Sequence, residues 1–287
     1  MLTHTNQLNN AQLRDLNHLL AQCRLKDGST PNVYPHILIQ QRPFFVNGLY
    51  YQDAELIGFI SVFFFYEDCC EVSLLVDPAQ RRKGLGRQLL QSVLPILQAQ
   101  SIKTLIFSSP HQTNEEWLMA RGFEYQLSEY HMERRSLQPV LVPQRLLSFK
   151  NASPQDISAL CLVDKACFPK DPAKMLARFH SLFNDRDYQL ILAYLDNEPI
   201  GKAHIRWQAK GATFSDIGIL PPLQGQGFGT GLIAHCINLA LAEGKPNLDL
   251  DVEIKNTKAL KLYTRLGFKT QNACDYWQLP LSRAMSL

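Results

Sequence analysis

The apolar positions of this chain follow two periods, and each pattern occurs twice. Leu89, Leu90, Val93, Leu94 and Leu97 recur at the three-to-four spacing of an amphipathic helix, and Leu232, Ile233, Cys236, Ile237 and Leu241 repeat it. A strand-like run precedes each helix, Glu71 to Val76 in the first half and Phe214 to Leu220 in the second. Between strand and helix stand Arg81-Arg82-Lys83-Gly84-Leu85-Gly86 and Gln224-Gly225-Gln226-Gly227-Phe228-Gly229. Gly84 and Gly227 are 143 residues apart, and Gly122-Phe123 and Gly267-Phe268 are 145 apart. Two landmarks so nearly in step indicate duplication of one unit of about 140 residues, not a short solenoid repeat. The boundary falls in Leu137 to Pro143, where two prolines flank a stretch without strong periodicity. This gives units over 1–138 and 145–287, joined by a linker at 139–144.

Each unit reads as mixed α and β, with strands and helices alternating around a sheet. In the second, strands are expected at Arg145–Lys150, Leu190–Leu195, Ile200–Trp207, Phe214–Leu220, Leu248–Ile254 and Tyr276–Leu281. Helices are expected from Ser153-Pro154 towards Cys167, then over Pro172–Phe183, Gly227–Leu241 and Thr257–Leu266. The first unit follows a similar order, with a helix at Ala11–Cys23 and strands near Phe44–Tyr51 and Leu56–Tyr66.

Composition narrows the partners. The 287 residues are 46% apolar and 19% charged, enough to bury a core in each unit. The net charge of +3, with no basic stripe interleaved with aromatics, argues against a nucleic-acid partner. The longest apolar run, Leu56 to Tyr66, is far short of the roughly 20 residues a membrane span needs. The seven cysteines form no CxxC pair, so no metal site is indicated, and a reducing cytoplasm is the expected location.

The glycine loop carries the first chemical signal. Glycines between a strand and a helix allow a tight turn, and the free N–H groups at the helix start then form an anion site suited to a diphosphate. Other phosphate motifs fail. No GK[ST] tripeptide follows a Walker-type spacer, and a GxGxxG pattern breaks at Thr230 from Gly225 and at Leu232 from Gly227. A second cluster runs from Asp251 through Asn256 to Tyr263 and Leu266-Gly267-Phe268. Asn256 and Tyr263, seven apart, share one face of a helix starting there.

The glycine loop and the Asn256…Tyr263-x-x-Leu266-Gly267-Phe268 cluster, in this order, resemble the GNAT superfamily of acyl-CoA-dependent N-acetyltransferases. The likeness covers the chain from about Arg145 onward, and the first half more loosely. The two-unit arrangement is similar to tandem members such as mycothiol synthase, a likeness of architecture. The resemblance implies an α/β fold with a mixed sheet in two tandem domains. It also implies transfer of acetyl from acetyl-CoA to a primary amine, by direct attack in a ternary complex. The acceptor is a small-molecule or protein amine, and no metal is needed. Backbone groups of Gln224, Gly225, Gln226, Gly227, Phe228, Gly229 and Thr230 would hold the diphosphate. Ile219 and Leu220 would pair with the pantetheine arm, Asn256 would hydrogen-bond the coenzyme, and Tyr263 would protonate the departing thiolate.

Asp251 precedes Tyr263 by twelve residues, where ribosomal-protein alanine acetyltransferases of this superfamily carry a glutamate thought to act as base. The competing reading is an acidic solvated face, since Asp249, Asp251 and Glu253 alternate along a strand. Asp216 is the reserve candidate. In the first unit the 145 offset places Leu118 at the position of Tyr263, Ile106 at Asp251 and His111 at Asn256. Leucine has no proton to donate, whereas the loop Arg81, Arg82, Lys83, Gly84, Leu85 and Gly86 is intact and basic. That unit is expected to be catalytically degenerate, either binding the coenzyme or shaping the substrate site, with His111 a surface imidazole. The alternative for the whole chain is a coenzyme-binding or sensing module without turnover, against which Asn256 and Tyr263 argue.

Overall fold

The protein is described by a computed structural model at residues 1–65, 67–141, 147–168 and 172–286. In chain order the elements are β1 (Leu2–Thr5), α1 (Asn10–Asp27), α2 (Pro35–Leu38), β2 (Asn47–Gln52), β3 (Glu55–Phe63), β4 (Cys69–Val76), α3 (Leu85–Ala99), β5 (Thr104–Pro110), α4 (Glu115–Met119) and β6 (Glu124–Arg134). Then follow β7 (Leu147–Asn151), α5 (Ile157–Cys167), α6 (Pro172–Asn184), β8 (Tyr188–Leu195), β9 (Glu198–Trp207), β10 (Gly211–Ile219), α7 (Phe228–Ala242), β11 (Asn247–Glu253), α8 (Thr257–Arg265), β12 (Lys269–Pro280) and α9 (Leu281–Ala284). Most elements agree with the sequence reading to within a few residues. Tyr66, Arg145 and positions 142–144 of the expected linker lie outside the described residues.

Two compact units emerge, and one is not contiguous: Met1–Tyr130 groups with Asn272–Leu287, and His131–Gln271 forms the other. This differs from the split at 138 and 145 that the repeat suggests. The reason is strand pairing. β12 begins at Lys269, not Tyr276, and pairs antiparallel with β5 from Cys274↔Pro110 to Pro280↔Thr104. That register carries Trp277, Leu279, Leu281 and Ala284 into the core of the first unit.

In the first unit the strand order is β1-β2-β3-β4-β5-β12. Strand alternation sends Ile60 and Val62 towards Leu89, Val93 and Leu97 of α3. Phe59 and Phe63 pack on the other side with Leu16 and Leu19 of α1. α1 is delimited by local chemistry. Asn9 and Gln12 form a reciprocal capping box at its start, and Gly28 closes it in the left-handed conformation.

In the second unit the order is β6-β11-β10-β9-β8-β7, with β6 contributing its residues from His131 onward. Leu190 and Leu192 of β8 pack with Leu160 of α5 and with Met175 and Phe179 of α6. α7 buries Leu232, Ile233, Cys236 and Ile237. The duplication is visible in the backbone as well. Both units turn a hairpin through two consecutive left-handed residues, Asp53-Ala54 and Asp196-Asn197, as the right-handed strand twist favours. Among the described residues, no helix is long and apolar enough to cross a membrane.

Candidate active site

Parallel strands β10 and β11 are in register for four pairs, from Gly211↔Asn247 to Phe214↔Leu250, and then part. Beyond that point β10 stays paired to β9 alone, through a bulge in which Ser215 and Gly218 oppose His204 and Lys202. The extra residue puts Asp216 in the left-handed region at φ 48°. Gly218 is required by close approach, because a Cβ there would lie 2.9 Å from the Cβ and Sγ of Cys167. The equivalent pair in the first unit, β3 with β4, runs without a break from Gly58↔Val76 to Phe63↔Glu71. Thus only the second unit has a bulged strand leading into its glycine loop.

A buried polar cluster sits under the bulge. Lys202 and Asp164, both fully buried, pair at 2.7 Å, and the Lys202 ammonium also donates to the main-chain oxygen of Asp216 at 3.3 Å. The same ammonium lies 4.9 Å from the centre of the Phe168 ring. Burial lowers the lysine pKa, while Asp216 and Asp164 raise it against that trend. Asp216 itself binds Arg178 at 2.5 Å and approaches His204 at 3.5 Å. Spacing along the sequence identifies none of Lys202, Asp164 or Arg178, because three separate elements bring them together.

At the end of β10, the N–H of Leu220 donates to the Ile200 oxygen at 2.8 Å. Strand amides alternate, so the N–H of Ile219 faces the side from which β11 has withdrawn. The Ile219 oxygen accepts from the Gln224 amide at 2.9 Å and from the Cys167 thiol at 3.3 Å. Of the two residues expected to meet the pantetheine arm, the structure turns Ile219 to the opening and commits the Leu220 amide to β9.

The glycine loop then turns through Gly225 at φ 78° and Gly227 at φ 90°, the latter capping α7. These angles explain the glycines, since side-chain-bearing residues are strained there. A Cβ at either position would meet nothing within 4 Å, so the loop lies open at the positive end of a helix. Arg265 of α8 reaches Thr230 in the first turn of α7 at 2.9 Å. The neighbours of Gly229 are Leu262 and Ile219. The end of β10, the start of α7 and the middle of α8 therefore converge.

Tyr263, next to Leu262, is buried, with its ring edge-on to Phe268 at 6.0 Å. Phe268 in turn meets Phe214, the last residue of β10 paired with β11. Burial pushes the phenol pKa up to about 12. Asn256 is exposed and caps α8, its oxygen accepting from the Ala259 N–H at 3.1 Å, which leaves its NH2 group for other contacts. Asp251 stands on the exposed face of β11, bound to His131 of β6 at 2.9 Å.

The first unit repeats the frame with different side chains. Arg82 at φ 64° and Gly84 at φ 82° match Gly225 and Gly227. The Phe123 N–H bonds the Leu118 oxygen just as the Phe268 N–H bonds that of Tyr263. This fixes Leu118, buried in α4, as the counterpart of the tyrosine. Arg81 is held by Asp27 through both terminal nitrogens, at 2.8 and 2.6 Å, so its charge is committed to α1. His111 is not a loose surface imidazole. It binds buried Asp275 at 2.6 Å, and its main-chain N–H reaches Ser29.

A sequence profile described as the acetyltransferase (GNAT) family matches residues 13–123 and again 157–268. The mycothiol acetyltransferase of Clavibacter michiganensis subsp. michiganensis is 26% identical over 211 residues, 69% of each chain. That of Renibacterium salmoninarum is 25% identical over 230 residues, 73% of this chain and 67% of the relative. Among solved structures, a GCN5-related N-acetyltransferase from Sphaerobacter thermophilus is similar with a TM-score of 0.75 at 17% identity, covering 98% of this chain and 95% of that one. A tandem GNAT protein from the clavulanic acid biosynthesis pathway has a TM-score of 0.63 at 13% identity, covering 98% of both. The structural likenesses speak for the fold, and the profile, matching once in each repeat, speaks for the family. The chain belongs to the GNAT acetyltransferase family, as an acyltransferase built from two tandem copies of the domain.

Proposed function

We propose that the second unit transfers an acetyl group from acetyl-CoA to the primary amine of a small molecule, within a ternary complex. The observation that carries this reading is the parting of β10 from β11 beside an open glycine loop at a helix start. Relatives named mycothiol acetyltransferase support a small-molecule acceptor over a protein one.

Acetyl-CoA, when bound, supplies an acyl group already activated as a thioester. Main-chain N–H groups from Gln224 to Thr230 bind the diphosphate, and the Ile219 amide donates into the opening. A fixed donor there stabilises charge on an acyl oxygen as it develops. Asn256 offers its NH2 group to the coenzyme while its oxygen holds α8 in place. Tyr263 carries the proton for the departing sulfur, and with a pKa near 12 the phenol keeps that proton throughout the neutral range. Asp251 is the carboxylate on the acceptor side. Asp216, tied to Arg178, shapes the bulge. The first unit repeats the loop at Arg82, Lys83, Gly84, Leu85 and Gly86 but carries Leu118 in place of Tyr263, so it is not the unit that transfers.

The test is to incubate the chain with acetyl-CoA and a panel of small primary amines, following free thiol and product mass. N-acetylated products formed one-to-one with thiol support the reading. Coenzyme binding by calorimetry without products from any amine would instead indicate a sensing module, and no binding would end both readings. The glycine loop has its own test in Gly227→Glu, which adds a carboxylate where the diphosphate is placed. Acetyl-CoA should then dissociate at least about tenfold more readily, roughly 1.4 kcal/mol. The left-handed strain costs the fold only about 1–2 kcal/mol. An unchanged dissociation constant would remove the loop from the binding site.

A further inference from the structure

Asp251 sits one residue past Leu250, the last position registered on β10, where the two strands part. Leu250 is fully buried, and alternation turns Asp251 to the opposite face of the sheet. There its Oδ1 lies 2.9 Å from Nδ1 of His131 on β6. Glu133, on the same face of β6, places a carboxylate oxygen 3.8 Å from Nε2 of the same ring. The imidazole is half-buried, and Asp249 of β11 also acts on it. Local spacing does not reveal this pair, because 120 residues separate its members.

We propose that His131 is the group that takes the proton from the acceptor ammonium, with Asp251 as the positioning carboxylate that fixes its tautomer. This deepens the amine-acetylation reading and rests on it. A carboxylate has no hydrogen to donate, so the proton of the short contact belongs to Nδ1, and the lone pair is left on Nε2. An ammonium ion gives its proton to Nε2, and the imidazolium so formed is flanked by Asp251, Asp249 and Glu133. The freed nitrogen pair then forms the C–N bond as the C–S bond breaks. Tyr263 gives a proton to sulfur, and the second nitrogen proton restores the phenol through water. The imidazolium returns its proton to solvent, so one proton is released per turnover. Burial of the ring opposes the charged form, but the three carboxylates outweigh it, and the His131 pKa is raised above its ordinary 6.5. A base that titrates close to working pH is better matched to this step than an ordinary carboxylate.

The experiment uses His131→Gln and Asp251→Asn in the full chain, and reads kcat/KM against pH, acetyl-CoA affinity, and the imidazole resonances of the ligand-free protein. In the parent protein the rate should fall as pH drops through a value above 6.5, and the His131 resonance should titrate at that same value. His131→Gln should lower kcat/KM by on the order of 10²-fold at neutral pH, with coenzyme affinity and melting unchanged. Its rate should climb steadily with pH, because the amine must then lose its proton unaided. Asp251→Asn should move both the resonance and the acid limb downward. A parent-like rate and profile in His131→Gln would overturn the proposal while leaving amine acetylation standing, as would a His131 resonance titrating at or below 6.5. Failure of the parent protein to acetylate any amine would sink the underlying reading, and this one with it.

Discussion

Tyr263→Phe is expected to turn over roughly 10²- to 10⁴-fold more slowly than the parent protein while binding acetyl-CoA just as tightly. The substitution removes one hydroxyl and leaves the ring, so the edge-on contact with Phe268 and the packing of α8 survive. Any loss therefore reports on the proton and not on the fold. With the phenol pKa at about 12, its ionisation sets no alkaline limb of the rate profile in the ordinary working range. The measurement is steady-state thiol release alongside coenzyme titration by calorimetry. Parent-like turnover would take Tyr263 out of the chemistry, or show that departure of the thiolate does not limit the rate.

Lys202→Met should be the most damaging single change to stability, costing about 3–5 kcal/mol, because it leaves the buried Asp164 carboxylate without its counter-charge. In thermal unfolding that corresponds to a drop on the order of 10 °C for a unit of this size. The double variant Lys202→Met with Asp164→Leu should recover most of the loss, because a well-packed apolar pair can replace a buried ion pair at little cost. The two halves of the comparison separate the worth of the pair from the penalty of an orphaned charge. If the single variant melts within a degree or two of the parent, the cluster under the β10 bulge does not stabilise the unit.

Much of the candidate site is legible in the sequence because its signals are local. The glycines at 225 and 227 follow from a backbone that must turn with positive φ, and Tyr263 from its distance to Gly267-Phe268. The position of Leu118 as the counterpart of Tyr263 follows equally from its distance to Gly122-Phe123, and the Phe123 N–H on the Leu118 oxygen supports that register. What escaped depends on strand pairing between residues far apart. Nothing near residue 131 indicates that its imidazole will meet Asp251, and nothing near Lys202 indicates a carboxylate from α5. The β10 bulge is likewise invisible, since Asp216 is not a residue type that marks a left-handed position as glycine does. The return of Asn272–Leu287 to the first unit escaped because β12 carries the same alternation whichever strand it joins.

That return has a consequence for how the protein is made. Cutting the gene at the repeat boundary yields a leading fragment that lacks Trp277, Leu279 and Leu281, and hence one wall of its own interior. Such a fragment should come out of expression as soft, sticky material, and adding a peptide spanning 272–287 should firm it up. On the ribosome the earlier-synthesised half must wait, its hydrophobic side uncovered, until residues 272–287 have been made.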